Sequence, residues 1–146
     1  MTREGATQSI GVLNRLLGVH CQSLPTYLCS TVIWGERNDR RAADTLTQIA
    51  ADQKYIADRI IDLIDRRQGQ FNRGRARDLT WLNDLSIDFL IKQTLDYQVR
   101  DAADIASCVE FLSADPEAKA IAEEALGMAK AHLESLEEVT GERRPS

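Results

Sequence analysis

The chain is poor in aromatic residues and proline, and it lacks the patterns of covalent staples and membrane spans. Only 5% of its 146 residues are aromatic and only three are proline, a composition that leans towards helices. Cys21, Cys29 and Cys108 are odd in number and show no CxxC spacing, so they make neither a disulfide framework nor a zinc knuckle. Cys21 and Cys29 lie eight apart on one expected helix, too far for a bond within it. No stretch reaches the roughly 18 apolar residues that a membrane helix needs. The opening MTREGATQSIGV lacks the charged-then-apolar order of a signal peptide, so a cytoplasmic protein is expected. Positive charge is short as well. A net charge of -5 argues against a general nucleic-acid binder, whose affinity rests on a positive surface. No GxSxG, P-loop or HExxH string is present.

What remains is 43% apolar and 28% charged, enough for one domain with a real core. Four helical segments and no strand are expected, hence an all-α fold. The first helix spans about Thr7 to Thr31, with Ile10, Leu13, Leu16/Leu17, His20, Leu24 and Tyr27/Leu28 on one face. Pro25 removes a backbone donor and is expected to bend it. His20 is the unexpected member of that face. Cys21 points about 100° away from it, on a different side of the helix, which speaks against a Cys-His nucleophile pair.

The second helix spans about Asp39 to Arg67. Leu46, Ile49, Gln53, Ile56, Ile60 and Leu63 advance by alternating steps of three and four, the seam of a helix packed nearly parallel to its neighbours. The segment RRQGQFNRGRARD at 66–78 then carries two glycines and five arginines. It reads either as a solvated connection or as a docking site for an anionic partner; Phe71 alone makes no stacking platform. The third helix, about Leu79 to Leu112, is given the stripe Leu82, Leu85, Phe89, Lys92, Asp96, Val99, Ala103 and Ala106. Asp115 and Pro116 signal the next start, as cap and first helical residue.

The fourth helix spans about Pro116 to Val139, with Ile121, Ala125, Met128/Ala129, His132, Leu136 and Val139 inside and Gly141 as C-cap. Met128 reads as gap-filling core. Trp34 and Trp81 are expected to pack in the core or an interface. The domain is therefore placed at 7–141, with flexible tails at 1–6 and 142–146. A short link between the last two helices and a long one between the second and third give an antiparallel four-helix bundle with one crossover, the ferritin-like arrangement.

Four short motifs carry a resemblance. LNRLLGVH with Tyr27 resembles the start of a bacterioferritin, LN-x-LL-x-x-E with a tyrosine seven residues later; His20 stands at the glutamate. Gln53-Lys54-Tyr55-Ile56 followed by Ala57-Asp58-Arg59 is similar to that family's E-x-x-H-A-D-basic motif, with both metal ligands replaced. Leu95-Asp96 is similar to its Leu-Glu pair, and Ala129-Lys130-Ala131-His132 to its second E-x-x-H. The resemblance implies a bundle whose ancestor held two irons through four carboxylates and two histidines. Both bridging carboxylates are absent, at Gln53 and Ala129, and Ile56 replaces a ligand histidine. Two dications about 4 Å apart then lack the negative charge that holds them together. No ferroxidase centre is expected, and no haem, since Lys54 stands where the family supplies its haem-ligating methionine. The family's short fifth helix has no counterpart, so a homodimer through the first and second helices is expected rather than a cage.

Two readings of the core stay open. His20, Asp96 and His132, with Gln53 as a weak fourth ligand, would make a mononuclear iron or zinc site able to support redox or oxygen chemistry. Alternatively they form a metal-free polar cluster, with Lys92 able to draw Asp96 outward, or the register differs and these side chains do not converge. The first implies a metalloprotein, the second a structural or interaction protein with an unidentified protein partner.

Overall fold

The computed structural model describes residues 3–31, 40–74 and 87–143. All elements among them are helices: α1 (Arg3–Cys21), α2 (Leu24–Thr31), α3 (Arg40–Arg66), α4 (Ile87–Phe111) and α5 (Pro116–Arg143). None is long and apolar enough to cross a membrane. Trp34, Trp81, Leu82 and Leu85 lie outside the described residues, as does the arginine-rich segment beyond Gly74.

The first expected helix is two. α1 closes with Gln22 N–H donating to Gly18 O at 2.9 Å, and α2 restarts under a cap in which Ser23 Oγ accepts from Thr26 N–H at 3.2 Å. Pro25 therefore sits in the first turn of α2, where a backbone donor has no intrahelical partner anyway. The proline does not bend a continuous helix; it stands at the start of a new one. The α3 terminus is a Schellman turn: Gly69 N–H reaches Ile64 O and Gln68 N–H reaches Asp65 O, both at 2.9 Å, with Gln68 at φ 58°. The chain then passes so close to α1 that a side chain at Gly69 would meet Ile10 at 2.9 Å.

Residues 70–74 are strapped along α1. Asn14 donates to Gln70 O at 2.9 Å and accepts from Asn72 N–H at 2.7 Å, while Gln22 donates to Arg73 O at 3.1 Å. Of the arginines here, Arg66 pairs with Asp62 and Glu117, and Arg67 with Asp115. At the start of α5, Asp115 caps Ala118 N–H at 3.3 Å and receives a bidentate Arg67 at 2.6 and 2.9 Å. Two expected boundaries shift outward. Residues 4–6 belong to α1, and Gly141 lies inside α5 rather than capping it.

α1 packs on α3 and α4, α2 on α3, α3 on α5, and α4 most extensively on α5. The buried face of α5 is alanine-rich at Ala118, Ala122, Ala125 and Ala129, which lets its neighbours approach closely. The core falls into two apolar clusters. The first joins Leu13, Leu16 and Leu17 of α1 to Ile56, Ile60, Leu63 and Ile64 of α3, Ile105 and Cys108 of α4, and the alanines of α5. The second joins Leu24 and Leu28 of α2 to Leu46 and Ile49 of α3, Leu90 and Ile91 of α4, and Leu136 and Val139 of α5. Along the chain, α1 to α2 and α5 run from the first cluster to the second, while α3 and α4 run the other way.

Candidate functional site

Where each helix passes from one cluster to the other it presents polar side chains: His20 at the end of α1, Gln53 on α3, Thr94, Gln98 and Asp101 on α4, and His132 on α5, all buried. Thr94 satisfies itself on Leu90 O at 2.8 Å. The others, with Asp52, line a cavity of about 10 Å³, close to the space one water molecule fills.

Gln53 is the hub. Its Oε1 accepts from the Ser23 hydroxyl and, at 3.4 Å, from Thr26 Oγ1; its Nε2 donates to Gln98 Oε1 at 3.4 Å. Gln98 Nε2 in turn donates to Asp101 Oδ2 at 3.4 Å. The same serine that caps α2 thus joins the helix break to the layer. On the opposite side, His132 Nε2 lies 2.8 Å from Asp52 Oδ2 and donates its proton to that carboxylate, which is 29% exposed.

His20 is held differently. Its Nδ1–H donates to Leu16 O at 2.8 Å, the only sense available against a carbonyl. Burial pushes its pKa down, the Leu16 hydrogen bond opposes this, and the neighbouring His132 adds a further lowering. The neutral ring therefore carries its lone pair on Nε2, for which no described residue provides a donor.

The sequence-derived ligand set is only partly assembled here. His20, Gln53 and His132 line the cavity together with Ile56 and Ala129. Asp96 does not: it is exposed, as is Lys92. Asp96 is two residues from buried Gln98, about 200° around the helix, so one side chain faces inward only if the other faces out. The true seam of α4 is Ile91, Thr94, Gln98, Asp101, Ile105 and Cys108, and the expected stripe through Phe89 and Val99 is the outer one, at 39% and 53% exposure.

Among the described residues no three His, Cys, Asp or Glu side chains come together in a way that would hold a metal ion. The donor set does not fit a diiron centre, since Gln53 offers an uncharged amide and Ala129 a methyl group where the resemblance would require bridging carboxylates. The expected mononuclear set of His20, Asp96 and His132 is not assembled, because Asp96 is on the surface. Asp52, Gln98 and Asp101 were not singled out by sequence reasoning. The three-four spacing from Ile91 to Cys108 was the signal for the last two; Asp52 carried none beyond its place beside Gln53. No family model and no curated protein matches this chain.

Proposed function

We propose that this chain is a ferritin-like four-helix bundle that has exchanged its metal centre for a hydrogen-bonded polar layer, and that it serves as a dimeric structural or interaction protein rather than a ferroxidase. The order of the clusters supports the topology. α3 ends beside the first cluster, residues 70–73 run along α1 from Asn14 to Gln22, and α4 begins beside the second cluster, the end-to-end order that a long crossover requires.

One observation carries the functional reading. Gln53, at the position of a bridging carboxylate, spends its carbonyl on Ser23 and Thr26 and its amide on Gln98. A side chain engaged at both ends and carrying no charge is a poor ligand for a dication. The remaining acids, Asp52 and Asp101, are each held in contact with His132 or Gln98. The test is ferrous iron oxidation in air by the purified chain, followed by absorbance. The expected rate equals that of buffer alone; catalytic turnover lost in His20→Ala would instead establish the mononuclear reading. Sedimentation equilibrium tests the assembly, with a two-chain mass expected and a monomer or a cage contradicting it.

A further inference from the structure

The break between α1 and α2 leaves a second opening on the outside of the molecule. It is a groove of about 540 Å³ between Cys21, Gln22 and Thr26 on one wall and α3 on the other. That volume lies in the range that small organic ligands occupy. The α3 wall is cut back by Ala50, Ala51 and Ala57, which gives the groove depth and an apolar floor. His20 lines the groove as well as the interior cavity.

The polar groups are placed unevenly. Arg73 lines the groove; its guanidinium lies over the Phe71 ring at 5.3 Å and hydrogen-bonds the Cys21 thiol, and no described carboxylate pairs with it. Lys54 stands on the rim, with its ammonium 3.1 Å from Asp58 in a pair that is largely exposed on both sides. Such a pair contributes little and is readily exchanged for another anion. His20 is 5% exposed, and no donor among the described residues meets its Nε2. A buried acceptor left unmet costs free energy that a ligand hydroxyl can recover.

We propose that this groove binds a small hydroxylated organic acid, with its carboxylate on Arg73 and Lys54, its apolar body on the alanine floor, and its hydroxyl donating to His20 Nε2. The site does not depend on the ferritin-like reading: it shares His20 with the middle layer, but its other walls are the helix break, the α3 surface and the strapped segment.

The test is titration of the full chain with 4-hydroxyphenylacetate, followed by amide chemical shifts, with phenylacetate and 4-hydroxyphenylacetamide as controls. For a ligand of this size, saturation with Kd of about 1 mM is expected, with shifts centred on Cys21, Ala50 and Arg73. Removing either the carboxylate or the hydroxyl should weaken binding by about tenfold, one charge-assisted or buried hydrogen bond. Arg73→Met should do the same without altering the thermal midpoint, and His20→Gln should abolish the preference for the hydroxylated probe. Absence of saturable shifts, equal binding of all three probes, or unchanged binding in Arg73→Met would each overturn the proposal. So would a second copy of the chain found seated in the groove.

Discussion

Two buried polar regions sit at different heights in this molecule, and they are built on opposite terms. At the α5 start, Asp115 is 2% exposed and fully engaged: Arg67 grips both oxygens at 2.6 and 2.9 Å, Ala118 N–H is capped, and Ser9 adds a further hydrogen bond. The Arg67 hydrogen bonds above all hold the Asp115 carboxyl down at about 2, against an opposing push from burial. In the middle layer the links from Gln53 to Gln98 and from Gln98 to Asp101 are both 3.4 Å long, a cavity remains, and one imidazole nitrogen has no donor among the described residues. Short charged contacts fix a corner. The long amide contacts, alongside the closer His132–Asp52 contact at 2.8 Å, leave room in a core that the two apolar clusters already hold together.

The largest effect that separates the regions is expected at the corner. Asp115→Ala leaves Arg67 without its main partner and removes the α5 cap, and should cost about 3–5 kcal/mol in urea unfolding. A cost below about 1 kcal/mol would place the pair with ordinary surface ion pairs and erase the contrast.

The next is the response to acid. The folded Asp115 carboxyl sits below its ordinary 3.8, so its contribution is complete above that value and is lost as pH falls towards 2. That amounts to about 2 kcal/mol, absent in Asp115→Asn. His20 acts in a separate window. Its pKa is lowered on folding, so the unfolded chain binds the proton more readily and stability declines as pH drops below 6.5. His20→Gln should flatten the pH profile of the unfolding midpoint in that window and leave the lower one intact.

The smallest effect is expected at His132. In His132→Leu the apolar side chain faces two existing clusters and Asp52 turns to water, so the change should stay within about 1 kcal/mol of zero. A loss of several kcal/mol would show that the layer, like the corner, is a stability device.

How far the sequence disclosed this arrangement depended on where apolar residues fell. The α3 seam from Leu46 to Leu63 was legible because Gln53 is its one polar member. Asp115 and Pro116 were legible because cap chemistry is local. His20 was placed on the buried side of α1, and the side chains of Gln53 and His132 in the same layer. α4 was misread by register: its inner face carries Thr94, Gln98 and Asp101, while Phe89 and Val99 make the outer face look like core. Periodicity finds the most apolar stripe, and in a helix that spends three inward positions on polar residues that stripe can be the wrong one. The break at Ser23 was hidden for a related reason. The apolar steps continue across it from Leu17 to Leu24, and only Ser23 followed by Pro25 marked the restart.

The central claim is that the middle layer is held by hydrogen bonds between uncharged and paired groups rather than by metal. The most direct measurement is metal content by mass spectrometry after anaerobic incubation with iron(II), and separately with zinc, followed by buffer exchange. The account predicts no retained metal and no change in unfolding midpoint with either ion. A stoichiometric iron or zinc that is lost in both His20→Ala and His132→Ala would contradict it.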